Sequence, residues 1–154
     1  VDFMEKILQK ANLLWGSAVT LMSAALGEHW YLFMAFLLLN VTDYITGILK
    51  AKYFNVENSC KGLKGIIKKV GYWVCIAIAF FVSVAFRDIG ASIGINLEFT
   101  QLFGWFTLAT FIINETRSIL ENLVLMDVEV PKFLTKGLEV AEIRAKELTD
   151  NEDN

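Results

Sequence analysis

Four stretches with almost no charge divide most of this chain: residues 11–27, 30–49, 70–86 and 99–114. Only the second contains a charged side chain, Asp43. At 1.5 Å per residue these runs predict helices of roughly 24 to 30 Å, close to the ~30 Å thickness of a bilayer's hydrocarbon core. Lys68, Lys69 and Arg87 flank the third run and extend its reach by snorkelling, while local thinning accommodates the shorter runs. Beyond the fourth run, Ile119, Leu120, Leu123 and Val124 keep the helical period as far as residue 126, and Pro131 breaks it. Leu134, Leu138, Ala141, Ala145 and Leu148 then recur at helical spacing, predicting an amphipathic helix over 132–148. The expected architecture is all-α: a multi-span integral membrane protein with three to four transmembrane helices and a cytoplasmic amphipathic C-terminal helix. A membrane domain over 1–126 is followed by a tail over 127–154. The placement of the first run is open. Gly16, Ser17, Thr20 and Ser23 make it the least apolar of the four, and it spans, lies in the interface, or inserts only in one state of the protein.

The polar residues inside these runs are ordered. At 100° per residue, Asn40, Asp43, Thr46, Gly47 and Lys50 share about a third of the helix circumference. Thr100, Thr107, Thr110, Asn114, Arg117, Ser118 and Glu121 fall in a similar arc of the fourth run and its extension. Polar stripes on membrane helices must face protein or water, since lipid satisfies neither donors nor acceptors. Between helices in lipid, small residues permit close approach. Gly71, Cys75, Ala79 and Ser83 recur every fourth residue in the third run, and Asn12, Gly16, Thr20, Ser23 and Gly27 gather on one side of the first. Asp43 is the sharpest of the polar positions, because an acid at mid-bilayer costs about 2.5–3.5 kcal/mol. Lys50, two turns on and on the same face, is the expected neutralising partner. Two readings stay open for Asp43: a neutralised packing residue, or a lumen-lining or assembly-switch residue.

Charge then orients the chain. Residues 50–69 carry Lys50, Lys52, Lys61, Lys64, Lys68 and Lys69 against the single acid Glu57. Short lysine-rich loops stay on the cytoplasmic side, so this segment is topogenic and meets lipid headgroups. Four spans then place both termini inside. The net charge of −3 is a property of the tail, since residues 127–154 hold four basic and eight acidic side chains. The rest holds ten and nine, which leaves no nucleic-acid footprint. With 55% hydrophobic residues, a mean hydropathy of +0.49 and one proline, the composition argues against a soluble domain or a loop-rich β fold.

Candidate chemistry is sparse. Cys60 and Cys75 show no metal-ligand spacing and are not an expected disulfide, and His29 reads as an interfacial polar residue. Gly62-Leu63-Lys64-Gly65 lacks the spacing of a phosphate loop, and Asp43 with Glu115 has neither pocket nor nucleophile. No enzyme, cofactor or metal site is expected. Lys6, Lys10 and the small residues 23–25 do not make a cleavable signal, because further apolar runs follow at once.

Several short segments carry a family resemblance. Asp43-Tyr44-Ile45-Thr46-Gly47 is followed by the basic stretch from Cys60 to Val70, by Asn114-Glu115 with Ser118-Ile119-Leu120-Glu121-Asn122, and by Val130-Pro131-Lys132-Phe133-Leu134. In order and approximate spacing these resemble the phage lysis and toxin-secretion holin family of Gram-positive bacteria and their prophages, over most of residues 40 to 138. Asp127 departs from the pattern, where a glycine-containing turn is expected. The resemblance implies a homo-oligomer in the bacterial cytoplasmic membrane. It would form holes that release an endolysin or a large toxin and time host lysis, with an antiholin as a further partner. Asn40, Asp43, Thr46, Thr107, Thr110, Asn114 and Arg117 are then candidate lumen residues. Gly16, Gly47, Gly71, Cys75, Ala79 and Ser83 are candidate packing residues. Competing classes are a small ion or solute channel and an antiholin-type regulator without a pore of its own.

Overall fold

The computed structural model describes residues 2–56 and 59–139. Four helices follow in order: α1 (Asp2–Leu26), α2 (Trp30–Tyr53), α3 (Ser59–Ser92) and α4 (Gln101–Leu125), the last entered through a 3-10 turn at Glu98–Thr100. A further helix begins at residue 132 and is described to 139; the rest of the 132–148 helix predicted from sequence lies outside the described residues. There is no strand among the described residues.

The helices outrun the apolar stretches that predicted them. Lysine costs a helix little, so the charged positions do not stop it. Lys50 and Lys52 lie in the last turn of α2, and α3 starts within the lysine segment and runs for 34 residues. The expected lysine loop is therefore mostly helix, and only residues 54–58 connect α2 to α3. At 1.5 Å per residue α3 is about 50 Å long, well beyond the hydrocarbon thickness. Among the described residues two helices are long and apolar enough to cross a membrane, Trp30–Tyr53 and Gly62–Ser92.

Helix ends are set by the backbone. Each of the four helices is followed by a residue in the left-handed region: Gly27 (φ 78°), Asn55 (φ 52°), Gly94 (φ 74°) and Asp127 (φ 61°). After α2, the Asn55 N–H donates to the Lys52 carbonyl at 3.0 Å and the Val56 N–H to that of Ala51 at 2.9 Å. The same pair of bonds closes α4, from Asp127 to Val124 at 3.1 Å and from Val128 to Leu123 at 3.0 Å. This is the Schellman arrangement, which satisfies the last carbonyls of a helix. The turn expected to need glycine is thus present, with Asp127 itself in the left-handed conformation that Asp and Asn tolerate better than other side chains.

The chain divides into two compact units, Val1–Ala35 and Phe36–Asn154. In the first, the hydroxyls of Ser17 and Thr20 donate to the carbonyls of Leu14 and Gly16 at 2.9 and 2.8 Å, so part of the polarity of α1 is spent on its own backbone. Met4, Leu8, Leu13, Leu14 and Trp15 are exposed.

In the second unit, α3 and α4 run antiparallel in a continuous register. Lys69 meets Glu115, Tyr72 stacks on Phe111 at 4.2 Å, Phe80 sits edge-on to Trp105 at 5.0 Å, and the Ser83 carbonyl accepts from Thr100 Oγ1 at 3.1 Å. α2 joins antiparallel to α3 and parallel to α4: Phe36 packs on Trp73 at 5.1 Å and Phe111 at 6.4 Å, and Tyr53 donates to Asp127 at 2.7 Å. The lysine-bearing ends of α2 and α3 therefore share one end of this unit with the C-terminus of α4. Phe36, Ile76, Leu108 and Ile119 are its buried apolar core.

α3 and α4 approach tightly at Gly104. A Cβ built there would lie 2.6 Å from Cδ1 and 2.7 Å from Cγ of the Phe80 ring. Gly104→Ala is accordingly expected to lower the stability of the α3–α4 pair by about 1–3 kcal/mol, the usual cost of overpacking. Unfolding in detergent with the wild-type chain alongside checks this, and an unchanged midpoint would refute it.

Candidate functional site: a polar cluster across three helices

On α2 the predicted stripe is the inward face. Asn40 and Thr46 are buried and Asp43 retains 16% side-chain exposure. What Asp43 meets differs from the sequence expectation. Lys50 lies seven residues on, about 10 Å along the axis, and turns instead to Asn122 Oδ1 at 2.5 Å. The cation beside Asp43 is Lys69 of α3, with Nζ 2.8 Å from Oδ2. The same ammonium donates to Glu115 Oε2 of α4, a carboxylate with only 5% of its side chain exposed.

Asn122 completes the cluster. Its amide donates to Asp43 Oδ1 at 3.2 Å and to Thr46 Oγ1 at 3.1 Å, while its oxygen accepts from Lys50. Both amide hydrogens are thereby used. The Thr46 hydroxyl donates to the Asp43 carbonyl at 3.0 Å. Two acids and two lysines cancel in charge, and together with an amide and a hydroxyl they tie α2, α3 and α4 together. One acceptor stands outside the set: Asn40 donates to the Phe36 carbonyl at 2.7 Å, and its buried Oδ1 has no partner among the described residues.

On α4 the inward face is Gly104, Leu108, Glu115, Ile119 and Asn122, turned roughly 100° from the predicted stripe at 100° per residue. Thr100 alone of that stripe is buried. Thr107 and Thr110 donate to the carbonyls of Phe103 and Phe106 at 2.7 and 2.9 Å, so their hydroxyls are satisfied without water or a neighbouring helix. Asn114 and Arg117 are exposed, and Arg117 pairs with Glu121 at 2.9 Å. They line a cleft of about 430 Å³ whose wall includes Asp43, Lys69 and Glu115.

The remaining candidates scatter. Of the small-residue ridge, Ser83 is buried and Ala79 half-buried, whereas Gly71 and Cys75 are exposed. A Cβ at Gly16 or Gly71 would meet nothing within 4 Å, and one at Gly47 only Asn122 at 4.0 Å. Lys52, Lys64 and Lys68 are exposed, with Lys68 5.6 Å over the Tyr72 ring; the side chain of Lys61 lies outside the described residues. Glu115 and Asn122 are the site residues that stripe reasoning missed. The signal lay in their spacing of seven, in step with Leu108 and Ile119 rather than with the threonines.

The class these features define is a helical membrane protein held across its helices by a neutral polar cluster. The chain belongs to the bacteriophage holin family, whose family model matches residues 20–142. It is 33% identical over 133 residues to an uncharacterised protein of Halalkalibacterium halodurans, covering 85% of this chain and 94% of the relative. It is 31% identical over 127 residues to a probable holin of Bacillus phage phi105, covering 82% and 85%. A protein of Listeria monocytogenes, also uncharacterised, is 32% identical over 113 residues, or 73% of each chain. No solved structure matches.

Removing the shared cation would leave two carboxylates facing each other with little water. Lys69→Met is expected to cost about 3 kcal/mol or more, in the range for breaking a buried pair. Adding Asp43→Asn to that variant is expected to restore part of the loss. A double-mutant cycle on detergent unfolding checks this, and additive losses would show that Lys69 and Asp43 act independently.

Proposed function

We propose that this holin-family chain accumulates in the bacterial cytoplasmic membrane and assembles into holes that release an endolysin, or a large toxin, at a set time. The observation that carries the reading is the unequal fate of its two polar stripes. The stripe of α2 is neutralised inside the chain, while Asn114, Arg117 and Glu121 of α4 remain uncovered beside the cleft. Lipid does not satisfy a charged ribbon, so those residues meet water or a second copy. In the assembled hole they line the lumen, with Thr107 and Thr110 toward the apolar end of the same face.

In this proposal α2, α3 and α4 span, with the lysine-bearing ends, the tail over 127–154 and the C-terminus in the cytoplasm. α1 supplies a fourth span or lies in the interface, and residues 1–126 form the membrane domain. The short 54–58 connection agrees with this threading, since it leaves α2 and α3 antiparallel with their lysines at one end. The partners are further copies of the chain, membrane lipid, the released hydrolase or toxin, and an antiholin that delays assembly. No catalytic step belongs to the mechanism. The hole opens when packing within one chain gives way to packing between copies.

Inducible expression with and without a cytoplasmic endolysin tests the reading. Abrupt lysis that depends on the endolysin is expected. Slow ion leakage alone would support a small channel, and delay of a partner's lysis without permeation would support a regulator. Cysteines placed at Thr110 or Asn114 are expected to cross-link between copies differently before and after permeation. Asp43→Asn, which removes one of the two acids held by Lys69, is expected to shift the time of lysis. An unchanged onset would leave Asp43 a packing residue alone.

A further inference from the structure

The larger cleft of the second unit opens between the lysine-bearing ends of α2 and α3, with a volume of about 970 Å³. Tyr44, Ile48 and Phe54 line it from α2 and the chain just beyond, Leu63 and Ile66 from α3, and Leu125 from α4. Its charges are unbalanced: Lys50, Lys52 and Lys69 against Asp43. Two of these cations are engaged, Lys69 with Asp43 and Glu115 and Lys50 with Asn122. Lys52 has no partner among the described residues, and it sits at the mouth, on the last turn of α2.

We propose that this cleft seats one anionic phospholipid of the cytoplasmic leaflet, its phosphate on Lys52 and one acyl chain lying between Ile48 and Ile66. The proposal rests on the membrane reading above. Three features select this occupant. The cleft is cationic at its mouth and apolar along its walls, which matches an anionic amphiphile end to end. From Lys52 to Tyr44 it descends eight residues of α2, about 12 Å, enough for a headgroup and the upper part of a chain. Its polar back wall of Asp43, Lys69 and Asn122 is hydrogen-bonded within itself, so an acyl chain there leaves few donors or acceptors bare. A zwitterionic lipid would fill the same walls and also offers a phosphate, but the cation on its own headgroup offsets the attraction to Lys52.

The test uses the full chain with Cys60 and Cys75 replaced by serine and one bimane-labelled cysteine at Ile66 in the cleft, or at Ile78. The latter is exposed and lies outside the cleft. Each form is reconstituted in phosphatidylcholine vesicles containing a trace of nitroxide-labelled phosphatidylglycerol or of nitroxide-labelled phosphatidylcholine. At Ile66 the anionic probe is expected to quench at about fivefold lower mole fraction than the neutral one, the factor one lysine supplies near a membrane surface. Lys52→Gln is expected to abolish that preference, and soluble glycerol phosphate to leave it unchanged. At Ile78 the two probes are expected to quench equally. Equal quenching at Ile66, a preference that survives Lys52→Gln, or displacement by glycerol phosphate would each overturn the seat while the membrane reading stands. Absence of quenching at Ile78 by either probe would overturn the membrane reading and the seat with it.

Discussion

One ammonium held between two carboxylates organises the second unit of this protein. Lys69 reaches Asp43 on α2 and Glu115 on α4 from its own position on α3, so a single side chain bonds three helices. A carboxylate in a low-dielectric setting is tolerable only when paired; here two acids share one cation, Asn122 adds a neutral donor to Asp43, and Lys50, bonded to the Asn122 oxygen, brings the second positive charge. The aromatic layer of Phe36, Tyr72, Trp73 and Phe111 packs the same three helices one to two turns farther along from the cluster. Apolar packing without the cluster would leave the faces of three similar greasy helices free to slide. The cluster fixes both their register and their relative direction.

The same economy of polar groups explains which residues remain available to a neighbour. Threonine and serine hydroxyls along the helices donate to carbonyls three or four residues back, as Thr42, Thr107, Thr110 and Thr116 do. Such side chains are compatible with lipid and with protein alike. Charged groups are not neutralised by a backbone carbonyl, and even paired they keep hydrogen-bonding capacity that lipid does not meet. Exposed Asn114, and Arg117 with its partner Glu121, form the polar edge of α4 at the lysine-bearing end of the unit. The hole-forming role proposed above asks for a chain that is stable when dispersed and able to expose polarity on assembly. A neutral internal cluster beside an exposed polar edge suits both demands.

Much of this was legible before the fold was known. The four apolar runs located the helices, and the polar stripe of α2, required by its composition to face protein or water, faces protein within the chain, where Asp43 and Thr46 find partners on α3 and α4. The stripe on α4 is a different face from the one packed inside the chain. It runs through threonines whose hydroxyls bond their own backbone, and beside Glu115 and Asn122, which meet α2 and α3. The small-residue ridge on α3 likewise counted Gly71 and Cys75, exposed within the single chain, while the tight contact formed at Gly104 against Phe80. Glycine spacing marks where helices are able to approach; the bulk of the opposing ring decides where they do.

By itself the sequence determined the local facts: helical periodicity, the apolar lengths, the lysine bias of residues 50–69, and the demand that Asp43 be neutralised. These depend on residues within a few turns of each other, and backbone geometry alone propagates them. Only the tertiary structure decided which groups meet that demand. The partners of Asp43 lie 26 and 79 residues away in the chain, at Lys69 and Asn122. Lys50, seven residues away and on the correct face, stands too far along the helix axis. Hydrogen bonds reach about 3 Å, so the choice among several nearby lysines is made by the packing of neighbouring helices.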